Sequence, residues 1–140
     1  MQYNIISSGK RRIPRKKILK LLEIIEEDEE PPDSALNVIF IDDRQMARLN
    51  RKYRGQAVAT DVLSFNIDDT GGEGKIFGEI YISSDTAAKN AGKYNIPFTD
   101  EIIRLCCHGF LHLFGYDHER RQDRLIMEAR EKHYLERLTT

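Results

Sequence analysis

The sequence predicts an α+β fold, one sheet of about four strands packed with about five helices. Two observations carry that expectation. Short segments rich in β-branched and aromatic residues alternate with longer ones whose apolar spacing or capping residues fit a helix. Proline, glycine and paired aspartates punctuate the joins.

Residues 2–7 and 36–41 read as strands. Between them, residues 14–30 place Ile18, Leu21, Leu22 and Ile25 at the i, i+3, i+4, i+7 spacing of a core-facing helix, with Pro14 in its first turn. Pro31 and Pro32 turn the chain into the second strand, and Asp42-Asp43 caps a short helix to residue 53 with Met46 and Leu49 inward. Residues 62–67 and 75–83 make two further strands, joined by 68–74, where Gly71-Gly72-Glu73-Gly74 favours a turn. That loop is not a P-loop, because Gly74-Lys75 is followed by Ile76 instead of a hydroxyl residue. Ser84 caps an alanine-rich helix to residue 95. Thr99 caps the next, in which Ile102, Ile103, Leu105 and Cys106 supply apolar packing. A final helix, 119–138, turns Leu125, Ile126, Ala129, Tyr134 and Leu138 partly inward.

A chain of 140 residues fits one domain, 1–140, with a core that needs no disulfides. Cys106 and Cys107 are adjacent and offer no disulfide framework; they read as small buried residues. No apolar run reaches membrane-spanning length and no signal-peptide pattern opens the chain, so a cytoplasmic protein with no membrane partner is expected. Net charge is only −1, but Lys10, Arg11, Arg12, Arg15, Lys16 and Lys17 put six basic residues in eight, and Glu26, Glu27, Asp28, Glu29 and Glu30 form an acidic block. On one helix both blocks oppose the dipole, each at a cost of about 0.3 to 1 kcal/mol. The basic edge has two readings, a phosphate-binding surface for RNA or plain solvated charge.

Three of the four histidines fall in the run His108-Gly109-Phe110-Leu111-His112-Leu113-Phe114-Gly115-Tyr116-Asp117-His118. His108 and His112, four apart on a helix, share a face one turn apart. Gly115 accepts a left-handed helix end that turns His118 back toward them. Three imidazoles leave a fourth tetrahedral position open, which suits a catalytic zinc-like divalent ion more than a closed structural one. Without an ion, two of the three histidines would need separate buried hydrogen-bond partners, which makes the metal reading the stronger. The offsets match the metzincin peptidases, except that Gly109 stands where their general-base glutamate belongs. His133, alone in a charged helix, reads as solvent-facing.

Three further blocks, Tyr53-Arg54-Gly55, Thr60-Asp61-Val62-Leu63-Ser64-Phe65 and Gly78-Glu79-Ile80-Tyr81-Ile82-Ser83, together with the histidine run, make nearly the whole chain resemble the YbeY family of metal-dependent endoribonucleases. Asn66 stands where many members have proline, and Glu79 where aspartate is commoner. The resemblance implies a zinc-like ion on His108, His112 and His118 and a role for Arg54 in activity. It also implies work on small-subunit ribosomal RNA 3′ ends and in ribosome quality control, with ribosomal RNA and the small subunit as partners. Read alone, Arg54 is an exposed arginine in a polar loop. Beside a metal, its planar fork suits two phosphate oxygens in a way lysine cannot match. Asp117 has two readings, orienting the His118 ring or capping ahead of Glu119. Asp61 is a weaker candidate that also reads as a fold residue. The leading function is a metal-dependent endoribonuclease acting on single strands. The alternatives are a metallopeptidase-like hydrolase, disfavoured by Gly109, and an RNA-binding assembly factor with a structural zinc.

Overall fold

The computed structural model describes residues 1–67 and 72–140. In chain order the elements are β1 (Gln2–Ser7), α1 (Arg15–Glu29), β2 (Ala35–Ile41), α2 (Asp43–Arg54), β3 (Val62–Asn66), β4 (Ile76–Ser83), α3 (Ser84–Tyr94), α4 (Phe98–Leu113) and α5 (Arg121–Thr139). The sheet order is β1-β2-β4-β3; β1 and β4 run parallel to β2, and β3 runs antiparallel to β4. A parallel pair needs a crossover, which α1 supplies between β1 and β2. The α+β expectation therefore holds, with a mixed sheet.

One sheet face carries the main core. Leu36, Val38, Phe40, Ile80 and Ile82 pack there against Ile18, Leu21, Leu22 and Ile25 of α1, the spaced stripe expected to face inward, and against α4. Helix α4 is apolar on most sides because α1, α3, α5 and the sheet surround it. The other face is covered by α2, where Met46 meets Ile41 and Leu63, with Leu49 packed beside them. The Asp42 carboxylate caps α2 and Gln45 returns the bond, a reciprocal capping box.

Several local expectations are corrected. Ser83 caps α3, accepting the Thr86 N–H, whereas Ser84 is buried with its hydroxyl toward the Ile41 carbonyl. Helix α4 begins at Phe98 after Pro97, without a side-chain cap, so Thr99 lies inside it. The final helix starts at Arg121. Its buried residues are Met127, Tyr134 and Leu138, while Leu125, Ile126 and Ala129 are exposed. Of the expected turn at 68–74, residues 68–71 lie outside the described residues; Gly72 and Gly74 adopt positive φ, and Lys75 N–H bonds Gly72 O at 3.0 Å.

The acidic end of α1, unfavourable for its own dipole, is explained by its neighbours. Glu26 accepts from the Met1 amino group at 3.0 Å and from Tyr3; Asp28 pairs with Arg137 at 2.6 Å; Glu29 pairs with Arg130 at 2.6 Å. These carboxylates tie α1 to β1 and α5, and hydrogen bonds to charged groups of this kind exceed the dipole cost at about 1.5 to 3 kcal/mol each where shielded.

Candidate metal centre

His108 and His112 project from one face of the last turns of α4, with their Nε2 atoms 3.0 Å apart. Gly115 follows with φ +94°, its N–H on His112 O at 3.0 Å and the Tyr116 N–H on Leu111 O at 3.3 Å. This is the left-handed ending expected of Gly115, and it reverses the chain. The ring of His118 comes to 5.6 Å from that of His108 and 5.1 Å from that of His112, centre to centre. One ring nitrogen from each of the three lies within 4.8 Å of the others. Zinc–nitrogen bonds of about 2.0–2.1 Å at tetrahedral angles put ligand nitrogens about 3.3 Å apart, so the donor set fits an ion after small ring movements.

One of the three rings has a carboxylate partner that the sequence did not single out. The Nδ1 of His108 meets the carboxylate of Glu131, on α5. A ring donating from Nδ1 keeps the Nε2 lone pair free, and Nε2 is the atom that faces His112. Asp117, expected to orient His118 or to cap, accepts the Glu119 N–H at 3.3 Å and so braces the turn ahead of α5. Glu131 escaped notice in the sequence because nothing marks it out among the charges of that helix. The pKa of His112 is lowered by burial and then by its two histidine neighbours, which favours the neutral imidazole a metal requires.

Gly109 owes its identity to packing. A Cβ there would lie 2.7 Å from Ile80 Cγ2, 3.1 Å from Ser64 Oγ and 3.3 Å from Val62 Cγ2. Ser64 donates to Gly109 O at 2.9 Å and Asn66 to Leu113 O at 2.9 Å, so β3 holds α4 close along this edge. The position that carries the metzincin base faces the sheet here, with no room for a glutamate. Asn66, the departure from proline noted above, caps the end of α4.

The histidines open into a cleft of about 480 Å³ that Arg54, Thr60, Asp61, Ser64, Asp117 and Glu119 also line. Arg54 is not in a loop but is the last residue of α2, which Gly55 ends at φ +71°. It is exposed, and among the described residues no carboxylate pairs with it. Asp61 accepts its neighbour's N–H, from Val62, at 2.9 Å and faces the Asn90 amide at 3.4 Å, the bonding expected of a fold residue although it lines the cleft.

The basic edge stays apart. Arg11 lies 3.5 Å from Asp85 and over the Phe98 ring, Lys17 lies 4.0 Å from Asp100, and Arg15 donates to Ile5 O at 2.7 Å. Phe98 begins α4 and His108 comes ten residues later, about 15 Å along the helix axis. Cys106 and Cys107 are buried, and burial pushes both thiols up, which leaves them inert. His133 is half exposed, 3.5 Å from Asp28 and away from the cleft.

Fold and cleft together define an α+β protein with a candidate three-histidine metal centre beside an exposed arginine. The family model described as Endoribonuclease YbeY matches residues 6–139, and the chain belongs to that family. A Desulforamulus reducens protein named Endoribonuclease YbeY is 40% identical over 134 residues, 86% of each chain. One of the same name from Chlorobaculum tepidum is 33% identical, covering 99% of this chain and 98% of its own. A solution structure from Thermotoga maritima superposes with a TM-score of 0.68 at 33% identity, covering 98% of this chain and 89% of that one.

Proposed function

We propose that the protein is a metal-dependent endoribonuclease that cuts single-stranded RNA, with its work in maturing the 3′ end of small-subunit ribosomal RNA and in ribosome quality control. The observation that carries this reading is the convergence of His108, His112 and His118 on one cleft with Arg54, which pairs with no carboxylate among the described residues. The all-nitrogen donor set favours zinc among divalent ions. Such an ion, when bound, supplies Lewis-acid polarisation of a phosphate and eases deprotonation of an attacking water. The protein's own residues do the rest. Arg54 offers a planar pair of donors to the phosphate oxygens on which charge accumulates as water adds to phosphorus and the P–O bond breaks. Asp61, Asp117 and Glu119 place carboxylates in the same cleft, able to take the released proton. His108 and His112 are only half-buried and His118 is exposed, which leaves the site open to a strand, unlike a closed structural zinc. Family membership adds support, and so does the space at Gly109, which excludes a peptidase base. No described helix is long and apolar enough to cross a membrane. The proposed partners, ribosomal RNA and the small subunit, make the cytoplasm the proposed compartment.

The test is cleavage of defined RNAs and of casein by matched preparations of wild type, Arg54→Ala and His112→Ala, with elemental analysis of each. The expected outcome is one divalent ion per wild-type chain, loss of the ion and of RNA cleavage in His112→Ala, and RNA cleavage about a hundredfold slower in Arg54→Ala with its ion retained. Equal RNA cleavage by all three assigns the activity to a contaminant, and cleavage of casein revives the peptidase reading.

A further inference from the structure

Resting on that metal reading, we infer that Glu131 is a positioning residue for the site, one that fixes the tautomer and ring plane of His108 and thereby sets how tightly the three histidines hold an ion. Glu131 stands on α5, a helix that contributes no histidine to the cluster. Its Oε1 meets His108 Nδ1 across 23 residues of chain, and the two side chains are only 15% and 22% exposed. Shielding from water lets one hydrogen bond hold one geometry. With Nδ1–H on the carboxylate, the Nε2 of His108 keeps its lone pair on the side that His112 Nε2 approaches to 3.0 Å. In the other tautomer a hydrogen would occupy that direction. A carboxylate partner also makes the imidazole a better donor.

The seat of α5 explains how Glu131 arrives there. Met127, Tyr134 and Leu138 give the helix an apolar face in the core, while Leu125 and Ile126 remain outside. Arg130 and Tyr134 both bond Glu29 of α1 and Arg137 bonds Asp28, so rotation about the helix axis is set by these polar bonds together with the core packing. Consecutive helical residues point about 100° apart. With Arg130 turned to α1, Glu131 is turned to the end of α4 and to His108.

A plain tie between α4 and α5 would also join these residues, and it makes a different prediction. The experiment compares wild type, Glu131→Gln, Glu131→Ala and Glu128→Gln, the last lining the neighbouring cleft on the same helix. Zinc affinity is read by chelator competition, ligand geometry by the visible absorption of the cobalt(II)-substituted protein, and stability by metal-free melting. The expected result is zinc affinity about 10- to 100-fold weaker in Glu131→Ala with a shifted cobalt spectrum. Glu131→Gln should fall between, because an amide oxygen accepts the Nδ1–H without the charge, and Glu128→Gln should match wild type. Should Glu131→Ala not fold, the near-isosteric glutamine variant carries the test. Wild-type affinity and spectrum in the folded Glu131 variants, with only a lower melting temperature, overturn the inference. A wild-type protein that binds neither zinc nor cobalt overturns instead the metal reading beneath it.

Discussion

Glu29, the last residue of α1, accepts the hydroxyl of Tyr116 at 3.0 Å across 87 residues of sequence. Tyr116 lies two residues before His118, so the end of the first helix anchors the turn that returns the third histidine. The same carboxylate takes Arg130 and Tyr134. One side chain thus joins α1, α5 and the candidate metal turn.

The first prediction follows from that carboxylate. Burial alone raises its pKa, but hydrogen bonds from Tyr134, Arg130 and Tyr116 outweigh burial and hold it below the ordinary glutamate range. A depressed folded-state pKa stabilises the fold above the unfolded-state value, and the stabilisation is lost as pH falls through the folded one. Glu29→Gln should therefore melt below wild type near neutrality, and the gap should shrink as acid protonates Glu29 in wild type. A melting difference that stays constant from about pH 7 down to about pH 3 would contradict the assignment.

Gly109→Ala should destabilise the protein by about 1 to 3 kcal/mol, because the added methyl meets Ile80 on the central strand β4 at 2.7 Å and neither backbone is free to retreat. Chemical denaturation measures this directly. Unchanged stability would mean that α4 lies farther from the sheet.

Arg54→Ala and Arg54→Lys should both lower RNA cleavage about a hundredfold, on the scale of a lost donor to a charged transition state. Their stability should stay within about 0.5 kcal/mol of wild type, since the side chain is exposed and pairs with no carboxylate among the described residues. Full activity in the lysine variant would show that charge suffices and that the planar fork is not used.

Among the described residues Lys10, Arg12 and Lys16 are exposed and make no ion pair, unlike Arg11 and Lys17. Neutralising these three should reduce the slope of log binding constant against log salt by up to about 2, at about 0.7 per phosphate contact on a single strand. Cleavage at saturating RNA should persist, because this edge is a helix length from the histidines. An identical salt slope would identify the cluster as solvated charge.

The sequence by itself determined the four strands, the five helices and the histidine cluster. Each is written in local spacing: Ile18, Leu21, Leu22 and Ile25 repeat at the helical period, and His108, His112 and Gly115 share one turn and its ending. Caps were less legible, since Ser83 and Ser84 are adjacent hydroxyls and only the backbone direction selects between them. The inward face of α5 was legible only at Tyr134 and Leu138; Leu125, Ile126 and Ala129 stay outside because Arg130, Tyr134 and Arg137 also turn that helix toward partners on α1. Tertiary structure alone decided that Glu131, and not Asp117, meets a histidine ring. It likewise brought Arg54 from α2 into the cleft, made Gly109 obligatory against Ile80, and gave the acidic end of α1 its cations. The division is physical: backbone hydrogen bonding repeats over three or four residues and leaves its period in the sequence, whereas a bond between side chains many residues apart has no period and exists only once the helices have packed.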